Sequence, residues 1–163
     1  MFPAPTFYLN AMDPGGITGL SLLLIAEDTF TVEKQTTVGY RPAVKESPVR
    51  VLQQWRAQYN DHPHVMVYEN FHIRPGRQST DITAYGLITA LEHWVMDEAP
   101  YAEVIAQEPV VAKRLVPDQV LQRVDLKVYG KDARHINDSN RHAATYLASR
   151  SYLPLCLQAW PKP

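Results

Sequence analysis

Three groups of residues combine side-chain types and spacing suited to chemistry. The first is Asp13, in Met12-Asp13-Pro14-Gly15-Gly16-Ile17-Thr18-Gly19, directly after an apolar run. A carboxylate beside glycine-compacted backbone at a strand end suits a cation, or a phosphate bridged by one. The competing reading is a turn-forming Asp, because Asp-Pro-Gly is common turn chemistry. The second is Glu69, delivered at the end of Val65-Met66-Val67-Tyr68. Ligands of α/β sheets gather outside the carboxyl ends of strands; a solvated strand-end Glu is the alternative. The third is His135, Asp138 and His142. Spacings of three and four bring helical neighbours to one face. Against that stand a helix N-cap role for Asp138 and a packed or solvent-facing His142.

Other chemistries lack their residues. The single cysteine, Cys156, excludes an intrachain disulfide and a cysteine-cluster metal site. No Gly-x-Ser-x-Gly, phosphate loop or dinucleotide fingerprint occurs. What remains is a set of acids and a histidine on separate elements. Carboxylates brought together repel, and divalent metal relieves the repulsion. Oxygen donors with one imidazole suit Mg²⁺ or Mn²⁺, and a carboxylate-held metal pair suits phosphodiester hydrolysis.

The elements that must position these groups follow from periodicity and turn residues. Residues 6–11, 20–26 and 29–38 read as strands of an antiparallel meander, with Asp13-Pro14-Gly15-Gly16 as a turn. Ser47-Pro48 opens a helix carrying Val51, Leu52, Trp55 and Tyr59. Residues 64–68 form a buried strand, 74–80 a polar loop, 81–95 a second helix and 102–106 another strand. Short helices are expected over 109–115 and 117–123, a mobile loop over 126–137 and a final helix over 138–149. His62 and His64, flanking Pro63, read as surface residues. The expected fold is α/β, a mixed sheet flanked by helices.

The 163 residues, 45% hydrophobic and 20% charged, fit one globular domain. No run approaches the ~20 apolar residues of a membrane span. The N-terminus lacks the basic flank of a signal peptide, so a cytoplasmic location is the default expectation. The net charge of −1 is unevenly spread: residues 1–108 carry seven Lys/Arg and thirteen Asp/Glu, and residues 109–163 carry nine and four. That asymmetry points to a polyanion, against the plainer reading of a solvated surface.

In order and spacing these motifs resemble the RuvC-like Holliday junction resolvases, especially their small bacteriophage members, within the ribonuclease H-like superfamily. Asp13-Pro14-Gly15-Gly16-Ile17-Thr18-Gly19 resembles that family's Asp-Pro-Gly-x-Thr-Gly with one residue more. Glu69 resembles the second catalytic acid, and Gln107-Glu108-Pro109 with Lys113 a Gln-x-Pro-x-x-x-Lys stretch. His135-Ile136-Asn137-Asp138-Ser139-Asn140-Arg141-His142-Ala143 resembles the phage-type His-x-Arg-Asp-Ala-x-x-His-Ala. Asn137 and Ser139 replace the family's Arg and Ala, and some members carry Asp where this chain has His135.

The resemblance implies a five-stranded ribonuclease H-like sheet and a homodimer that cuts opposed strands of a four-way DNA junction. Asp13, Glu69, His135 and Asp138 would be catalytic and hold Mg²⁺ or Mn²⁺, two ions per site. Arg74, Arg77, Lys113, Arg114, Lys127, Lys131, Arg134 and Arg141 would contact phosphate. Phe71 would stack on an unpaired base, with a core position as its alternative. Two rivals stay open: a ribonuclease H-like nuclease for flaps or other substrates, and a junction-binding protein with a decayed site. Sugar-kinase and actin-like ATPases also begin with Asp-x-Gly after a strand, but need much longer chains.

Overall fold

The computed structural model describes residues 5–39, 47–71 and 82–161. Its elements run β1 (Phe7–Asp13), β2 (Ile17–Ile25), β3 (Phe30–Gly39), α1 (Pro48–Gln58), β4 (His64–Glu69), α2 (Ile82–Glu98), β5 (Glu103–Gln107), α3 (Pro109–Leu115), α4 (Asp118–Arg123), α5 (Ala133–Ser149) and α6 (Leu153–Ala159). One five-stranded sheet has the order β3-β2-β1-β4-β5. The first three strands pair antiparallel, while β4 lies parallel to both β1 and β5. The expected mixed sheet is therefore present.

Central strand β1 is buried along its whole length, and its alternation divides the core in two. Phe7, Leu9 and Ala11 pack with Leu121, Tyr146, Leu147 and Leu155 from α4, α5 and α6. Tyr8 and Met12 face the other way, with Leu52 and Trp55 of α1 and Leu91 and Trp94 of α2. Ser47 caps α1 as expected, its hydroxyl accepting from the Arg50 amide at 3.1 Å.

Several expectations are corrected. Helix α5 begins at Ala133, so His135 is helical and Asp138 lies one and a half turns inside rather than at the start. Asp132 takes the left-handed conformation just before it, with φ 61°. Residues 126–132 are tied down: the Asn137 amide accepts from Val128 N at 2.8 Å and donates to Val128 O at 3.0 Å, and Asn140 Nδ2 donates to Leu126 O. Helix α6 was not anticipated. His64 is buried rather than on the surface, because β1 and β4 pair at Tyr8 and His64 and its ring bonds Asn10 Nδ2 at 3.0 Å. Arg74 and Arg77 fall outside the described residues. Among those described, no helix is long and apolar enough to cross a membrane.

Candidate active site

Parallel pairing brings the carboxyl ends of β1, β4 and β5 side by side. Met12 pairs with Tyr68, and Glu69 with Gln107, so Asp13, Glu69 and Gln107 stand in a row at one edge of the sheet. Helix α5 crosses this edge. Its seat is set at Gly19, where a Cβ would lie 2.0 Å from the His135 carbonyl oxygen. Only a residue without a side chain admits the α5 backbone so close, and Gly19 is the register partner of Asp13.

Polar contacts fix the rotation of α5. Ser139 and Ser21 hydroxyls meet at 2.6 Å, and Ser21 Oγ and Gln35 Nε2 donate to Asn140 Oδ1 at 2.7 and 2.9 Å. Ser139 and Asn137, which stand where the resembled motif has Ala and Arg, thus have local roles: one sets α5 against β2, and the other anchors the strap before the helix.

Asp13, Glu69, His135 and Asp138 line one cleft of about 200 Å³, with Lys113 and Arg134 at its rim. His135 Nδ1 and Asp13 Oδ2 are hydrogen-bonded at 3.3 Å. Asp13 is 8% exposed. Burial first, then the charges of Glu69 and Asp138, pushes its carboxyl up to about 8; Lys113 and Arg134 pull the other way. A proton or a cation must offset the crowded negative charge.

Asp138 is held by Arg141, whose Nη1 donates to Asp138 Oδ1, Nη2 to Asp118 Oδ1 at 2.5 Å and Nε to Val116 O at 2.8 Å. Arg141 is buried, and Nε, Nη1 and Nη2 each bond one of these partners. The side chain expected to contact phosphate here clamps Asp138. Asp118 also takes Lys127, which holds its own carboxyl below the ordinary range, with Arg141 adding to the effect.

His142 completes the constellation and touches Glu69. Its Nε2 lies 3.1 Å from Glu69 Oε2, and its Nδ1 lies 2.9 Å from Gln107 Oε1. The sequence left His142 undecided and gave Gln107 no site role. The Gln-x-Pro motif was the available signal, since it ends a strand directly before a helix.

The remaining candidates are dispersed. Lys127 lines a neighbouring pocket rather than the cleft. Arg114 and Lys131 are exposed and line neither cavity. Phe71 is half-buried and packs against the core under α1 and α2.

Among the described residues, no three His, Asp or Glu side chains are grouped tightly enough to hold an ion as they stand. Each acid instead has a protein partner: Asp13 has His135, Asp138 has Arg141 and Glu69 has His142. The donor chemistry nevertheless fits a hard divalent cation, with three carboxylates and one imidazole on one cleft whose central acid is held toward its protonated form.

No protein-family model matches the chain, and no curated protein matches it by sequence. Solved structures do. RuvC from Thermus thermophilus superposes with a TM-score of 0.63 at 16% identity, covering 89% of this chain and 97% of that one; it has also been solved in complex with a Holliday junction substrate. Fowlpox virus resolvase, in complex with its substrate Holliday junction DNA, gives 0.57 at 14% identity over 86% and 99%. The yeast mitochondrial Holliday junction resolvase Ydc2 gives 0.58 at 12% over 95% and 81%. The chain has the fold of these resolvases.

Proposed function

We propose that this chain is a single nuclease domain that cuts four-way DNA junctions by divalent-metal-dependent phosphodiester hydrolysis. The observation that carries the reading is the shared cleft of Asp13, Glu69, His135 and Asp138 at the carboxyl edge of the sheet, in a fold whose solved relatives include two bound to junction DNA. Bound Mg²⁺ or Mn²⁺ would supply an activated water and stabilise the leaving oxygen. Asp13 would bridge or bind both ions; Glu69 and Asp138 would hold one each. His135 would complete the second or accept a proton. Lys113 and Arg134 at the rim would draw the phosphate in, with Arg114, Lys127 and Lys131 along its approach.

Resolution of a two-fold symmetric junction calls for a homodimer. The outward side of α2 supports a second copy, with Ile82, Tyr85 and Met96 at 74%, 54% and 82% exposure. The spacing of His135, Asp138 and His142 supports a bacteriophage-type enzyme, for which the host cytoplasm is the expected compartment.

The test is cleavage of a mobile four-way junction with Mg²⁺ or Mn²⁺, beside flap and linear duplexes. Paired nicks in opposed strands are expected for the junction. Preferential cutting of flaps would shift the reading to another ribonuclease H-like nuclease. One observation favours a junction-binding protein with a decayed site: Asp138 is already engaged by Arg141. Mn²⁺ titration by calorimetry separates the two, because a decayed site takes up no metal.

A further inference from the structure

Beside the catalytic cleft lies a larger pocket of about 590 Å³ that shares Lys113, Arg134 and Asp138 with it. This volume falls in the range of small-ligand sites, and the cleft itself does not need it to hold ions. Four cationic side chains line the pocket: Lys113, Lys127, Arg134 and Arg141. Its two acids, Asp118 and Asp138, are both paired with Arg141. Lys113 and Arg134 are exposed and face the seam between the two cavities.

Tyr129 also lines this pocket and is 74% exposed. Its backbone is not loose. Both polar groups of Val128, the residue before it, are bonded to the Asn137 amide. Gly130, the residue after it, turns the chain at φ 108°, and the Gly130 carbonyl accepts from Ala133 N at 3.3 Å. A large aromatic face is thus held out in water by a fixed strap, at the mouth of a cationic pocket.

We propose that this pocket takes one unstacked nucleotide of the DNA strand next to the scissile phosphate, its base lying on Tyr129 and its phosphates between Lys113 and Arg134. The choice of DNA as ligand rests on the nuclease reading. The pocket itself rests on charge, volume and a presented ring, the combination that binds single strands by stacking and backbone attraction. Tyr129 is a binding residue here that lines the pocket and not the metal cleft, so its replacement leaves the cleft's own lining in place.

The probe is a short single-stranded DNA oligonucleotide carrying one 2-aminopurine, titrated with the full chain in Mg²⁺-free buffer. Wild type and Tyr129→Phe should quench its emission equally, because stacking needs the ring and not the hydroxyl. Tyr129→Ala should bind about 10-fold or more weakly and lose the quenching. No quenching by wild type, or equal quenching by Tyr129→Ala, overturns the proposal. Junction cleavage by the same preparations keeps the two readings apart. Intact cutting without Tyr129-dependent quenching removes the pocket and leaves the nuclease. Tyr129-dependent quenching without cutting in either metal supports the pocket and removes the nuclease.

Discussion

Replacing Asp13 by Asn should stabilise the metal-free protein, and by an amount that depends on pH. Asp13 ends β1 among burial and two other acids, and its carboxyl is pushed from 3.8 up to about 8. In the unfolded chain it ionises near its ordinary value. Between those two values the native state holds a proton that the unfolded state has released. The contribution is therefore fully present below pH 3.8 and is lost as pH rises through 8. Each unit is worth about 1.4 kcal/mol, so from pH 5 to pH 8 wild type should lose about 4 kcal/mol that the Asn variant keeps. Local relaxation and water entry reduce this to roughly 2–4 kcal/mol. Asparagine preserves the shape and can still accept from His135 Nδ1, so packing is undisturbed.

The assay is urea unfolding of wild type and Asp13→Asn at half-unit steps from pH 5 to 8 in chelator. Taking the difference at each pH cancels the titrating groups that do not interact with Asp13. The difference should widen toward alkaline pH in favour of the variant. Added Mn²⁺ should then close it, since a ligand at 100 times its Kd stabilises the native state by about 2.7 kcal/mol and the variant lacks the central donor. Parallel curves, or a wild type that gains on the variant at pH 8, would refute the crowding of charge at this site.

Three further outcomes are expected. Gly19→Ala should lower the thermal midpoint sharply and displace α5, because the new Cβ meets backbone at 2.0 Å rather than a movable side chain; a cost above about 2 kcal/mol by circular dichroism is expected, and a neutral result would mean that α5 does not sit there. Arg141→Lys should weaken Mn²⁺ binding by about 10-fold or more in calorimetry, as loss of an orienting partner does at metal sites; unchanged affinity would reduce Arg141 to a packing residue. His64, lowered to about 4 chiefly by burial, should make the protein less stable as pH falls from 6.5 toward 4, with one extra proton bound by the unfolded state; His64→Gln should flatten that limb of the unfolding curve.

The parts of the site that sequence made legible are those where one element carries the whole signal. Asp13 and Glu69 each follow an apolar run, and a strand that ends in an acid can be read without its neighbours. Ser47-Pro48 was legible for the same reason, since a cap and its helix lie within four residues. The start of α5 was not legible. Residues 133–137 have no apolar period, and their helix is held by contacts to Val128, Ser21 and the Gly19 backbone. Arg141 was misread because a sequence displays the sign of a charge and hides its partners: Asp118 is distant along the chain and Val116 offers only a carbonyl. His64 was misread likewise, its flanking Pro63 suggesting surface while strand pairing placed it under Tyr8 and Asn10.

These contacts give α5 a part larger than that of a ligand carrier. His135, Asp138, Arg141 and His142 fall within about 120° of its circumference at 100° per residue. From that one face come two of the four candidate ligands and the group that holds each acid: His135 for Asp13, Arg141 for Asp138, His142 for Glu69. The sheet supplies Asp13 and Glu69, and the helix supplies Asp138 together with a bonded partner for each of the three acids. Two of the candidate ligands, His135 and Asp138, ride on α5, so metal affinity and the seating of α5 are linked in both directions. A change that loosens α5 far from the cleft, such as Ser139→Ala against Ser21, should weaken metal binding without touching a ligand. A metal that binds should in turn protect the α5 amides from hydrogen exchange more than those of α1, which packs on the opposite face of the sheet and touches none of the four acids and histidines. Equal protection of both helices would show that the metal stabilises the fold as a whole and that α5 is no privileged partner of the site.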